Sequence, residues 1–239
     1  MEFWVATFAV LATAAAVTAV SGFGFALVAI PPLALLSDAR TAVVGAGVAS
    51  VFLNVGMVQQ GFRDVRWRVV GGLLLVAVVG MPVGLVLLKV LDDRGLGLLV
   101  AGSVLGCTII VWLAPVVRGR WAVAAGGLLA GVLTTATGTN GPPLAAVFAG
   151  LGLTPAQFRA SFGAYFAVSG GLTLAAYGVT GELTGATLRV GAVGLVAMPI
   201  GWVLGDRLFR RLDPANFRRA VLAVLMASSA VTAMRAVNG

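Results

Sequence analysis

The sequence predicts an all-α polytopic membrane protein with two inverted repeats, each starting with a broken or re-entrant helical hairpin followed by three transmembrane helices. Three observations support this fold class. The 239 residues are 60% hydrophobic and 10% charged, with a mean hydropathy of +1.06, which a water-soluble surface would not tolerate. Uncharged segments of about 18 residues or more recur, long enough to cross a hydrocarbon core of roughly 30 Å. The third observation is an internal repeat.

Charges and turn residues divide the chain into apolar segments. These are residues 3–36, 41–60, 69–88, 96–117, 121–150, 160–180, 190–205 and 220–234. The first and the fifth are longer than one crossing requires, and each contains a glycine cluster near its middle, SGFGF (21–25) and TGTNGPP (137–143). This pattern favours a broken or re-entrant element over one long helix.

Matching motifs indicate that the chain repeats itself. MPVG at 81–84 returns as MPIG at 198–201, so that Pro82 and Pro199 are 199 − 82 = 117 residues apart. Between these markers, LSDART (36–41) corresponds to LTPAQFRAS (153–161), and each predicts a Ser/Thr N-cap followed by an arginine that opens the next span. We therefore predict two homologous transmembrane repeats, residues 1–117 and 121–239.

The distribution of basic residues favours inverted repeats with both termini outside. If each long segment is a hairpin, one side carries Arg40, Lys89, Arg94, Arg189 and Arg235, and the other carries the remaining 16 − 5 = 11 Lys/Arg residues. If each long segment crosses once, the split is 7 against 9, which is hardly a bias. Since short cytoplasmic loops are enriched in Lys and Arg, the hairpin topology is the better prediction.

The glycine clusters predict an anion site between the two repeats. Glycine lets backbone N–H groups approach a ligand, and a helix N-terminus contributes about half a positive charge. Hydroxyl and amide donors near the clusters, together with polar residues on neighbouring spans, complete the predicted site. Its substrate-binding residues are Ser21, Gly22, Gly24, Asn54, Thr137, Gly138, Thr139, Asn140, Gly141, Arg159 and Tyr165. Thr173 and Ser169 are further candidates at its border.

Each of these residues also has a simpler interpretation. Glycine, serine and threonine permit close helix packing in lipid, and Asn54 or Thr173 would serve equally well in an interhelical hydrogen bond. Arg159 and its counterpart Arg40 are either anion-steering groups or exposed arginines that set the topology.

Composition also excludes several classes of function. The chain has no histidine and one cysteine, Cys107, which lies in an apolar segment, so we predict no metal, no cofactor and no catalytic residues. The protein is therefore not expected to be an enzyme. The net charge of +8 lies in connections between spans, which favours membrane lipid over nucleic acid as the partner. A homodimer and a structural scaffold stay open as alternatives.

Three segments together resemble the TauE/SafE family of sulfite exporters and related anion permeases. They are SGFGFALVAIPPLALL (21–36), TGTNGPPLAAVFAGLGLTPAQFRAS (137–161) and MPIGWVLGDRLFRRLDPANFRRAV (198–221). The resemblance implies a permease for sulfite or small organosulfur anions in a bacterial inner membrane.

The predicted mechanism is export by alternating access, driven by membrane potential or an ion gradient. The chain has no GxxxxGK[ST] phosphate loop, and its acidic residues all lie at termini, in loops or near span ends. An inside-negative potential supplies about 2.3 kcal/mol per charge per 100 mV to an exported anion. A transporter or importer of another small anion is the alternative.

Overall fold

A computed structural model describes residues 2–21, 24–113, 119–209 and 234, and all regular structure within them is helical. Those residues form nine α-helices and one 3₁₀ turn, Phe62–Asp64. The helices are α1 (Glu2–Ser21), α2 (Phe25–Leu36), α3 (Ala39–Gly61), α4 (Trp67–Val90), α5 (Asp93–Leu113), α6 (Arg120–Ala136), α7 (Gly141–Ala149), α8 (Pro155–Thr180) and α9 (Gly185–Phe209). The predicted last span, 220–234, lies outside the described residues except for Met234.

Membrane-spanning helices are present, as the composition predicts. Five of the described helices are long and apolar enough to cross a bilayer, over Glu2–Ala19, Ala39–Gln59, Trp67–Val90, Ala156–Thr180 and Gly185–Gly205. The helices α2 and α7 have 12 and 9 residues, about 18 Å and 14 Å of rise, and are too short to cross alone.

Both long apolar segments are interrupted at their glycine clusters. The first break separates α1 from α2, and Gly24 within it has a φ of +100°. The second separates α6 from α7, and Gly138 within it has a φ of +67°. Residues with a side chain rarely adopt these left-handed backbone angles, which explains why glycine is found at both positions. The predicted breaks are therefore confirmed.

The helix starts after these segments agree with the predicted caps at one position and differ at the other. Thr154 caps α8 and forms a capping box with Gln157, as expected. The cap of α3 is Asp38, whose carboxylate accepts a hydrogen bond from Thr41 N at 2.7 Å, so the prediction of a Ser/Thr cap there is wrong. Ser37 instead donates to Leu33 O at 2.9 Å and satisfies a carbonyl at the end of α2.

The two halves of the chain pack into one another. The helix α1 lies against α9, α6 lies against α4, and α3 lies against α8 at the centre. Clusters of buried apolar side chains lie on either side, one drawn mainly from α1, α2 and α3 and the other from α4, α7 and α8. The three most extensive helix interfaces therefore each join a helix from residues 1–117 to a helix from residues 121–239.

Small residues bring two of these helix pairs into backbone contact. A Cβ at Gly84 on α4 would overlap the carbonyl oxygen of Val132 on α6, and a Cβ at Gly201 on α9 would overlap the carbonyl oxygen of Ala12 on α1. Gly84 and Gly201 are the final glycines of the repeated MPVG and MPIG motifs. In lipid, such close approach replaces the hydrophobic effect as the source of helix association.

Candidate functional site

A cavity of about 70 Å³ lies where the two helix breaks meet the central helices α3 and α8. This volume holds several water molecules, and it suits a small solute. Six of the predicted site residues line it, namely Gly24, Asn54, Gly138, Thr139, Asn140 and Gly141. The structure thus brings both glycine clusters to one cavity although they are more than a hundred residues apart in sequence.

The N-terminus of α2 opens directly onto this cavity. Phe25, Ala26 and Leu27 all line it, and their N–H groups have no carbonyl four residues earlier within the helix. No side chain among the described residues caps this helix, and the first backbone bond, from Val28 N to Gly24 O, is 3.1 Å long. The cavity therefore faces uncapped amide donors and the positive end of a helix dipole.

The N-terminus of α7 faces the same cavity from the second half of the chain. Its cap residue Asn140 makes no side-chain cap bond, and the amide nitrogen of Asn140 donates to the hydroxyl of Thr134. Pro142 and Pro143 contribute no N–H group, which leaves Gly141 as the first amide donor of this helix. Both helices thus direct the positive end of their dipole at the cavity, but α7 offers fewer amide donors in its first turn than α2 does.

Most hydroxyl groups at the second break are committed to holding its shape. The hydroxyls of Thr137 and Thr139 are 2.7 Å apart, and Thr139 donates to the Ser103 hydroxyl at 2.8 Å on α5. Thr135 donates to Met81 O at 2.7 Å, and Tyr177 donates to Thr135 O at 2.6 Å. These bonds anchor the break to α4, α5 and α8, and Thr137 itself does not line the cavity.

The hydroxyl groups without a partner lie on α8. Tyr165, Ser169 and Thr173 are buried, and their hydroxyl oxygens have no hydrogen-bond partner among the described residues. Ser169 and Thr173 line the cavity. Tyr165 lies one turn away and faces Thr134, but the geometry of those two hydroxyls falls short of a hydrogen bond.

No side chain in the described lining of the cavity carries a formal charge. Arg159 lies outside it: its guanidinium donates to Ala19 O at 3.5 Å, and it borders a separate cleft together with Asp64. Gly22 lies outside the described residues, and of Ser21 the structure describes only the backbone at the end of α1.

Comparison with known proteins gives the family of the chain. Residues 7–232 match the family model described as Sulfite exporter TauE/SafE. The chain belongs to the TauE/SafE family. It is therefore a membrane transporter and not an enzyme.

Two curated relatives are similar over most of their length. The "Probable inner membrane transporter protein TsaS" of Comamonas testosteroni is 33% identical over 182 residues, which cover 70% of this chain and 72% of the relative. The "Probable sulfite/organosulfonate exporter TauE" of Cupriavidus necator is 25% identical over 228 residues, covering 92% and 89%. No solved structure matches this TauE/SafE protein.

Several lining residues of the TauE/SafE site were absent from the prediction. Gly47 and Ser50 on α3, Phe166 on α8 and Tyr177 are among them. Ser50 carried a usable signal, since it precedes Ser169 by 169 − 50 = 119 residues, the same spacing that relates Asn54 to Thr173. The others are small or apolar residues that nothing in the sequence separates from ordinary packing.

Proposed function

We propose that this protein exports sulfite or a small organosulfur anion such as a sulfonate. The observation that carries the proposal is that two uncapped helix N-termini, those of α2 and α7, face one polar cavity whose described lining has no charged side chain. Such a site attracts an anion by dipoles and N–H donors without placing a full charge in the membrane. The name of the Cupriavidus relative supplies the substrate class.

The proposed mechanism is alternating access by two inverted repeats, residues 1–117 and 121–239, in an inner membrane with both termini outside. The packing between the halves supports it, because helices of the first half lie on helices of the second: α1 lies on α9, α4 lies on α6, and α3 lies on α8. An inverted repeat places a substrate site at the interface of its halves, where rocking of one half exposes the site to either side in turn.

The proposed energy source is the membrane potential. An inside-negative potential drives an anion outward with about 2.3 kcal/mol per charge per 100 mV. No acidic side chain is found among the described residues that line the cavity, so a proton relay through the site is not part of the proposal.

Proteoliposomes test the proposed function. We expect internal sulfite, at a pH where it is mainly hydrogen sulfite, to leave vesicles faster when the outside is positive. Methanesulfonate should behave likewise, since one negative charge moves down the potential in each case. Vesicles holding choline provide the control, because helix N-termini repel a cation. Transport of choline, or flux indifferent to both substrate and potential, would contradict the proposal. Flux of other small anions alone would favour the alternative permease of the same family.

A further inference from the structure

We infer that the hydroxyl groups of Ser169 and Thr173 on α8 bind the oxygen atoms of the transported anion and select a singly charged oxyanion. This inference rests on the proposed function and names the groups that would read the substrate. The two groups together form the α8 hydroxyl stripe. They are spaced i, i+4, so they lie on one face of the helix about 6 Å apart.

The stripe departs from the usual behaviour of hydroxyls in this protein. Helical serine and threonine hydroxyls normally donate to a carbonyl one turn earlier, as Thr7 does to Phe3 O, Thr18 to Ala14 O and Thr180 to Ala176 O, each at 2.8 Å. Ser169 and Thr173 make no such bond and line the cavity instead. The two residues are 0% and 5% exposed, so surface water does not replace the missing partner, and no described neighbouring helix supplies one.

The equivalent positions on α3 are hydrogen-bonded, unlike Ser169 and Thr173. Ser50 and Asn54 stand 119 residues before Ser169 and Thr173 and also line the cavity. Ser50 donates to Gly47 O at 2.9 Å, and Asn54 donates to Ser50 O at 2.8 Å. One wall of the cavity is therefore internally satisfied, whereas the other presents free donors. Because a buried hydroxyl without a partner is costly, the free donors point to a ligand that completes them.

The charge of the site points to a single negative charge on that ligand. Two helix N-termini contribute about half a positive charge each, which sums to about one, and the described lining adds no charged side chain. A sulfonate or hydrogen sulfite carries one negative charge and several oxygen acceptors, which matches both the charge and the number of donors. Sulfate carries two charges and would leave one uncompensated in a poorly solvated site.

Variants that remove one hydroxyl at a time test the stripe. We expect Ser169→Ala and Thr173→Val each to weaken methanesulfonate binding and transport about tenfold, the effect of losing one hydrogen bond to a charged group. The melting temperature of the ligand-free protein should stay the same or rise, because a buried unpartnered hydroxyl is removed. Thr180→Val is the matched control, since its hydroxyl lies on the same helix and already has a partner.

The outcomes separate this inference from the proposed function. If the wild-type protein moves neither sulfite nor methanesulfonate, the proposed function fails. If the wild-type protein transports them and the two variants keep its affinity while losing thermal stability, the hydroxyls are structural and the inference is overturned. Sulfate that binds as tightly as methanesulfonate overturns the charge argument.

A second observation, independent of the cavity, concerns two arginine and carboxylate pairs. Arg40 lies 61 − 40 = 21 residues before the end of α3, and Arg159 lies 180 − 159 = 21 residues before the end of α8. Asp64 precedes the start of α4 by three residues, and Glu182 precedes the start of α9 by three. The two arginines and the two carboxylates therefore occupy equivalent places in the halves.

Each arginine lies near a carboxylate of the other half, but of these two pairs the described residues show an ion pair only between Arg40 and Glu182. Arg40 lies 3.9 Å from Glu182 and also donates to Lys89 O and Leu91 O, each at 3.3 Å. Arg159 and Asp64 border one open cleft and make no ion pair with any described residue. One pair is thus closed and the equivalent pair is open in the same structure.

The geometry points to two alternating gates, with the Arg40–Glu182 pair closing one end of the protein and the Arg159–Asp64 pair closing the other in the opposite state. The ion pairs join the first half of the chain to the second, so each would lock the halves together at one end. If the two pairs exchange during transport, the present structure is the state closed at the Arg40 end.

A charge-reversal experiment tests the open pair. We expect Asp64→Asn to slow sulfite efflux about fivefold, because the state closed at that end loses its ion pair. Asp64→Arg alone should be slower still, and the double variant Asp64→Arg with Arg159→Asp should recover at least half of the wild-type rate. Asp64 is exposed and has no ion-pair partner among the described residues, so Asp64→Asn should melt at the wild-type temperature. Arg63→Gln, next in sequence and exposed, is the control.

Thiol labelling of the variant Ser50→Cys gives a second readout, since Ser50 lines the cavity and the native Cys107 is buried. Glu182→Gln should increase its reaction with a membrane-impermeant thiol reagent added at the Arg40 end, and Asp64→Asn should decrease it. Effects of Asp64 and Arg159 variants that simply add, or labelling that responds to neither carboxylate, would overturn the gate assignment.

Discussion

Replacing Gly47 with leucine is expected to reduce anion transport by about 100-fold while leaving the protein folded. Gly47 lies on α3 and lines the cavity, and a Cβ there would meet its nearest neighbour, the ring of Tyr177, at an ordinary contact distance of 3.8 Å. The backbone therefore accepts a side chain without strain. The isobutyl group would fill much of a cavity of about 70 Å³ and would sterically exclude the anion.

Gly72→Leu on α4 is the matched control for this prediction. A Cβ at Gly72 has no neighbour within 4 Å, and the position is exposed to the membrane. Both variants gain up to about 0.8 kcal/mol of helix propensity, so melting temperature in detergent should not separate them. Sulfite efflux from proteoliposomes should separate them completely. Equal efflux from both variants would show that the anion does not pass through this cavity.

Alanine at Gly84 is expected to cause a large loss of stability for the addition of a single methyl group. A Cβ at Gly84 would overlap the carbonyl oxygen of Val132 and the hydroxyl of Thr135, so α4 and α6 would have to separate. Overpacking of this kind costs about 3 kcal/mol, which corresponds to a fall of roughly 10 °C in melting temperature for a chain of this size.

The same substitution should also disturb the site. Thr135 donates to Met81 O and accepts from the hydroxyl of Tyr177 at its carbonyl, so displacing it moves the end of α6 that leads into the second break. Gly71→Ala on the same helix serves as control, because a Cβ there meets nothing within 4 Å. If Gly84→Ala and Gly71→Ala melt at the same temperature, the close approach of α4 and α6 does not stabilise this protein.

The helix breaks were predictable because their cause is local. Non-helical backbone in a membrane requires glycine at left-handed angles, and Gly24 and Gly138 supply it within clusters that interrupt otherwise uncharged segments. The start of α3 was harder to predict, because two neighbouring residues can each cap the helix. Ser37 and Asp38 are both good N-cap residues, and only the carbonyl of Leu33, which occupies the Ser37 hydroxyl, decides between them.

Six residues of the predicted site line one cavity, but the sequence did not show which hydroxyl groups there are free. The clusters 21–25 and 137–143 drew attention to hydroxyl groups such as those of Thr137 and Thr139, which the structure shows bonded to one another and to Ser103. The free donors are those of Ser169 and Thr173. The sequence does not distinguish a threonine whose hydroxyl is hydrogen-bonded from one whose hydroxyl is free, because the partners come from helices that are distant in sequence.

Sequence alone determined that the chain is a membrane protein with two glycine-broken helical segments, since burial in lipid constrains hydropathy and backbone geometry residue by residue. The tertiary structure decided which groups share a cavity and which of them remain without partners. That outcome depends on how α3, α8 and the ends of α2 and α7 approach one another, and long-range packing of this kind leaves no periodic trace along the chain.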